Sequence, residues 1–196
     1  MMLHRLRLLS GAALIALAAL LFCRVLRADD VTVPIAHQMD LLAKVASYDR
    51  NLAARAGDQV KILLLTRAGN DESTLVAGRA EKALSEKGRI AGLPHAQTAA
   101  TFSDGPSLAA RCKAERIAIV YVTPGFSDAE IEAIGKALAG ADVLTASAVP
   151  SFVPKGLVLG FDLVSGRARL LVHLSQAKKQ HVDFSSDILD LAQVIR

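Results

Sequence analysis

The sequence predicts an α/β fold: a three-layer sandwich whose mostly parallel sheet carries a C-terminal antiparallel hairpin at one edge. Three observations predict it. Val60-Lys-Ile-Leu-Leu-Leu-Thr66 and Ile117-Ala-Ile-Val-Tyr-Val-Thr123 are short, nearly continuous apolar runs, as expected of strands buried on both faces of a parallel sheet. Segments with apolar residues at helical spacing alternate with such runs, the rhythm of βα crossovers. Gly156–Val164 and Ala168–Leu174 flank Ser165-Gly166 with only a few loop residues between them, which is hairpin spacing.

Taken in order, the first element is a helix opening at Pro34, where the missing N–H costs nothing. Ile35, Met39, Leu42, Val45, Ala46, Leu52 and Ala53 form one stripe, and Gly57 ends it. Lys44, Asp49, Arg50 and Arg55 fall off that stripe. After the strand at 60–66, Asn70 or Asp71 caps a helix with Leu75, Val76, Ala80, Ala83 and Leu84 at core spacing, up to Gly88. His95–Phe102 reads as a weaker strand and Asp104–Glu115 as a short helix. Ser127 and Glu130 have capping-box spacing before a helix buried through Ile131, Ile134 and Leu138 and stopped at Gly140. Asp142–Ala148 is another strand; the hairpin follows, then a short polar helix opened by Ser175. The periodicity of Ile188, Leu189, Ala192 and Ile195 predicts a final helix capped by Ser185 or Ser186. No repeat, low-complexity tract or linker interrupts the chain after Val31, so residues 29–196 read as a single domain.

Residues 1–28 have a different character. Arg5 and Arg7 precede a small-and-apolar run from Leu8 to Cys23, and Ala28 stands before Asp29-Asp30. A basic start, a short apolar middle and a small residue at the exit make the tripartite pattern of a signal peptide, and the run is shorter than the roughly 20 residues that span a bilayer. Cleavage is expected after Ala28, although Leu26 fits the minus-three position poorly; an uncleaved N-terminal anchor is the alternative. Phe22 before Cys23 disfavours lipid attachment. The expected address is the periplasm, with no membrane insertion after cleavage. The chain has 23 basic and 19 acidic residues. Four of the basic residues, and none of the acidic ones, lie in the leader, so the mature domain is neutral, with 19 of each. That removes the electrostatic reason to expect nucleic acid as a partner. It also leaves Cys112 as the one cysteine, which excludes an internal disulfide. Leu108 and Cys112 share a helix face, so the thiol reads as a small buried hydrophobe in preference to an intermolecular bridge.

The sequence contains no G-x-S-x-G elbow, P-loop, G-x-G-x-x-G, H-E-x-x-H or C-x-x-C, and the chain reads as no enzyme. Ser103, in Phe102-Ser-Asp-Gly-Pro106, reads as a turn residue with no histidine placed beside it. His37, His95, His173 and His181 show no pairing at the i, i+3 or i, i+4 spacing of helical metal ligands. His173 and His181, which straddle a short helix, are the one pair that could converge; a hydrogen-bonded strand-end histidine and a surface histidine are the expectation. No metal or cofactor is expected. Ligands of open α/β sheets bind at the carboxyl ends of strands, beside helix N-termini. Here those loops are 66–70, 102–106, 123–127 and 147–154, and they nominate Thr66, Arg67, Asn70, Phe126 and Phe152 as partner- or ligand-binding residues. The two rings fit either a place in the core or an exposed anchoring role.

The C-terminal third carries a resemblance. Val143-Leu-Thr-Ala-Ser-Ala, Gly156-Leu-Val-Leu-Gly-Phe-Asp, Arg169-Leu-Leu-Val-His173 and Asp183-Phe-Ser-Ser-Asp-Ile-Leu-Asp-Leu-Ala192 resemble in turn a strand, a glycine-rich hairpin, its return strand and the last motif of the YfiR-like family of small periplasmic proteins. Leu41-Leu-Ala-Lys44 and Tyr48 are similar to that family's opening helix. The resemblance implies a non-catalytic regulator that binds the extracytoplasmic domain of an inner-membrane signalling protein, a diguanylate cyclase or sensor kinase, and so tunes cyclic-di-GMP signalling and biofilm formation. His173 departs from the asparagine the family favours, and the cysteine pairs of its redox-controlled members are missing. A small-ligand binder serving a transporter or sensor is the alternative reading, and a second copy of the chain is a further candidate partner.

Overall fold

The structure is a computed structural model that describes residues 33–196. The expectations for the leader, its cleavage site and Cys23 lie outside the described residues. The described residues belong to one compact unit. Its seven strands are β1 Val60–Thr66, β2 His95–Thr101, β3 Ile119–Val122, β4 Leu144–Ser147, β5 Leu159–Val164, β6 Arg167–His173 and β7 Ala192–Ile195. They stand in the order β2-β1-β3-β4-β5-β6-β7, and every pairing is parallel except the β5–β6 hairpin. This is the predicted mostly parallel α/β sheet with an antiparallel pair near its C-terminal edge.

The helices are α1 Ile35–Ala46, α2 Leu52–Ala56, α3 Asp71–Ser85, α4 Gly105–Glu115, α5 Asp128–Ala137, α6 Leu174–Lys179 and α7 Ser186–Leu189, with a 3-10 helix at Pro150–Lys155. One sheet face carries Ile62, Leu64, Ile119, Tyr121, Ala146, Leu159 and Phe161 in register across neighbouring strands, and α1 covers it. Gln38 of α1 reaches through that layer: its amide donates to the carbonyls of Val33 (2.9 Å) and Ala148 (3.3 Å), while its oxygen accepts from the Tyr121 hydroxyl at 2.8 Å. Burial pushes the Tyr121 phenol well above its ordinary pKa, so the hydroxyl stays a donor. The 3-10 helix lies on the opposite face, and α5 packs against the end of that helix. At Gly135 of α5 a Cβ would stand 2.4 Å from the Gly156 carbonyl oxygen, so only glycine allows this approach.

The structure corrects several expectations. The opening helix breaks after Ala46 because Asp49 turns inward. Its carboxylate accepts from the amides of Asn51 (3.1 Å) and Asp183 (3.0 Å) and pairs with the buried Arg55 at 2.7 Å. Asp49 and Arg55, read as off the buried stripe, are therefore interior, and Ala53 is exposed. Leu75, read as core, is 54% exposed on α3. The predicted final helix is a single turn, α7, and Ala192–Ile195 is instead a strand parallel to β6. The unpaired outer edge of β6 offers this segment a ladder of hydrogen bonds, and that tertiary opportunity outweighs its helical spacing. Ser185 precedes α7 without a side-chain capping bond.

Candidate functional site

The strand order turns back at β1, which has β2 on one side and β3 on the other. The carboxyl ends of β1 and β3 therefore form the topological switch point at which α/β sheets take ligands. Thr66, Arg67 and Asn70 leave β1 here, and Phe126 lies in the loop leaving β3. Phe152 stands apart on the 3-10 helix after β4.

Each of these side chains is engaged within the chain. The Thr66 hydroxyl donates to the Ala100 carbonyl at 3.2 Å. Asn70 caps α3, its side-chain oxygen accepting from the Ser73 amide at 2.7 Å. The rest of its amide lies against Gly125, where φ is +94° and a Cβ would come within 2.4 Å of the Asn70 side-chain nitrogen. A directed chain of bonds ties the two loops together. The Arg67 amide donates to the Ser73 hydroxyl (2.8 Å), Ser73 to Thr123 (2.5 Å), and Thr123 to the Leu65 carbonyl (2.8 Å). Ser73 and Thr123 are fully buried, so this relay satisfies polar groups that would otherwise cost about 1–3 kcal/mol each.

The predicted capping box on α5 is present, with Ser127 and Glu130 exchanging bonds. Arg67 joins it, its Nε donating to both Glu130 oxygens at 3.2 and 3.1 Å. Burial pushes the Glu130 carboxyl up. The Ser127 amide, the Ser127 hydroxyl and Arg67 outweigh that effect and hold its pKa below the ordinary carboxylate value. A carboxylate of the chain itself thus occupies the N-terminus of α5, the position an anionic ligand would take. Phe126 and Phe152 are buried, and Phe126 packs edge-on to Phe102 with ring centres 5.8 Å apart. Both rings belong to the core.

A small concavity of about 120 Å³ lies beside the ends of β1 and β2, lined by Leu65, Thr101, Phe102, Ser103 and Asp104 among others. Arg67 is 40% exposed along its side chain, residues 68 and 69 are exposed, and Leu75 stands on the outer face of α3. Helical spacing alone places Leu75 in the core, and nothing local to the sequence distinguishes it from Val76. Glu130 was legible as a cap but not as the partner of Arg67, because the two are 63 positions apart.

A larger groove, of about 480 Å³, lies at the opposite, amino end of the strands, lined by Arg55, Cys112, Lys113, Arg116, Gly140 and Asp142 among others. Arg55 is already neutralised by Asp49. Lys113 and Arg116 sit at the C-terminus of α4, where basic residues complement the helix dipole. Burial, with Arg111 and Glu115 acting against each other, pushes the Cys112 thiol up to about 11, so it is protonated and unreactive at neutral pH. His173 engages the Val153 carbonyl and Ser175, and His181 engages Asp142. The two histidines thus have separate partners, and the described residues hold no group of three metal-ligating side chains. Among the described residues no helix is long and apolar enough to cross a membrane.

A family model described as YfiR/HmsC-like matches residues 39–193, nearly the whole described chain. The chain belongs to the YfiR/HmsC-like family. No curated protein matches it. Among solved structures, this YfiR/HmsC-like chain is similar to a conserved domain protein of Vibrio cholerae O1 biovar El Tor, with 11% identity, 83% of this chain and 60% of that one covered, and a TM-score of 0.57. It is also similar to the ligand-free, open form of CD0873, a substrate binding protein with adhesive properties from Clostridium difficile. There the identity is 12%, the coverage 74% and 57%, and the TM-score 0.51. The YfiR/HmsC-like chain spans about 60% of the length of these two proteins, and at such identity the likeness is one of fold.

Proposed function

We propose that this chain is an exported, non-catalytic regulator that acts in the periplasm by binding the extracytoplasmic domain of an inner-membrane signalling protein, so tuning cyclic-di-GMP signalling. The observation that carries the proposal is the family match over residues 39–193. The site supports a protein partner over a small molecule at the switch point. There the helix caps, the Ser73–Thr123 relay and the Glu130 carboxylate engage the polar groups a ligand would need, while the partly exposed Arg67 and the exposed Leu75 remain open to a partner. In this reading Thr66 and Asn70 shape the β1–α3 corner, Arg67 and Leu75 touch the partner, and Phe126 and Phe152 hold the loops from beneath.

Affinity capture from the envelope of the source bacterium tests this. The expected result is recovery of an inner-membrane protein with a periplasmic sensor domain, and loss of that protein with Arg67→Ala or Leu75→Asp. Capture of no membrane signalling protein would overturn the proposal. The groove of about 480 Å³ falls within the size range of small-molecule sites and keeps a small-ligand reading alive. A large thermal stabilisation by a single metabolite in a screen would favour that reading.

A further inference from the structure

The groove of about 480 Å³ is lined by the C-terminal turns of α4 and α5 and by α2. Its walls are small and apolar, with Ala109, Ala137, Ala141 and Val143 among them, and no aromatic side chain lines it. Two cations on its rim have no counter-charge. Lys113 and Arg116 are exposed, and neither belongs to an ion pair among the described residues. The last α4 carbonyls do not need them, because the amides of Arg116 and Ile117 donate to the carbonyls of Lys113 and Cys112 at 3.4 and 2.9 Å. Arg116 instead reaches away from its own helix. At Gly57, where φ is +64°, a Cβ would stand 3.2 Å from a terminal nitrogen of its guanidinium, so its head lies beside the turn that follows α2. A third cation, Arg55, is buried in the same lining. It donates from Nη1 to Asp49 at 2.7 Å and from Nη2 to the His181 carbonyl at 3.1 Å, while its Nε has no acceptor.

We propose that this groove binds a small aliphatic carboxylate, with its head between Lys113 and Arg116 and its chain along the alanine-lined wall. Charge selects the head. Asp49 offsets Arg55, and the one acid in the lining, Asp142, is turned to His181 at 2.6 Å. Lys113 and Arg116 outnumber Asp142, so the groove stays net positive whether or not His181 is protonated. A single negative charge matches that excess, and a carboxylate accepts charge-assisted bonds from a guanidinium fork. The wall selects the body. An aromatic ligand gains most from ring side chains to stack on, and the groove offers none, whereas small apolar residues leave room for methylene groups and shield them from water. The volume falls within the range of small-molecule sites. The groove and the β1–α3 corner lie at opposite ends of the strands, so ligand binding and partner capture fail or succeed independently.

Isothermal titration calorimetry of the intact chain with sodium octanoate, beside octan-1-ol and inorganic phosphate, tests the assignment; circular dichroism checks that each variant is folded. The expected result is saturable binding of octanoate at one site, with octanol and phosphate each at least about tenfold weaker, since each lacks one half of the recognition. Lys113→Gln and Arg116→Gln should each weaken octanoate by about tenfold and leave octanol unchanged. Ala109→Phe, which fills the groove from α4 and removes no charge, should abolish binding, and Arg67→Ala should leave it intact. Failure of octanoate to saturate the protein would overturn the proposal. So would octanol or phosphate binding as tightly as octanoate, or octanoate binding that is indifferent to Arg116→Gln or to Ala109→Phe.

Discussion

Two regions of this domain differ in what they leave open to solvent. From α1 to β4 the buried polar side chains are spent on the chain itself. Gln38 binds Tyr121, Asp49 binds Arg55, Ser73 binds Thr123 and Glu130 binds Ser127 and Arg67. From β5 to β7 the sheet keeps an open backbone edge, exposed Leu163, Leu191 and Val194, and the exposed charges Asp190 and Arg196. Buried polar groups bonded within the chain are not free to hold a ligand, so the first region offers partners its outer surface.

Substitutions should separate the two regions by size of effect. Asp49→Ala leaves the Arg55 guanidinium buried without its counter-charge and takes acceptors from two amides; urea unfolding should report a loss of about 3–5 kcal/mol. Tyr121→Phe leaves the Gln38 oxygen without its hydroxyl donor in the core, for about 1–3 kcal/mol by the same measurement. Ser127→Ala removes the α5 cap and should cost about 1 kcal/mol. Glu130 adds a pH signature to that corner. Its folded pKa is depressed, so its contribution is complete above the unfolded value and lost as the pH falls through the folded one. The stability gap between wild type and Glu130→Gln should therefore be widest at neutral pH and close in acid. Leu191→Lys at the open edge should change unfolding free energy by less than about 0.5 kcal/mol. A loss as large as that of Tyr121→Phe would show the edge to be part of the core, and the contrast would fail.

Much of the sheet was legible because its strands are short, apolar at consecutive positions and punctuated by caps. The runs around Leu63 and Val120 have few alternatives, and the Ser127–Glu130 box marks the start of α5 by local chemistry alone. Thr66, Arg67 and Asn70 were found by a rule about strand ends, which needs only the order of elements. Their roles were not legible, because Arg67–Glu130 and Ser73–Thr123 join residues 63 and 50 positions apart. The sequence does not decide between core and surface for Phe126 and Phe152 for the same reason: burial depends on what the fold lays over a loop.

By itself the sequence determined the alternation of strands and helices, the hairpin around Gly166, the capping of α3 and α5, and a family likeness strongest between Val143 and Ala192. These depend on periodicity and on bonds between residues a few positions apart. Only the tertiary structure decided that Asp49 turns inward to meet Arg55, that Leu75 faces out, that the switch point is filled from within, and that Ala192–Ile195 extends as a strand. In each case the deciding partner is remote in sequence: the burial of Arg55, the layer laid over α3, the Glu130 carboxylate or the open edge of β6. Local propensity differences of a few tenths of a kcal/mol per residue yield to such contacts.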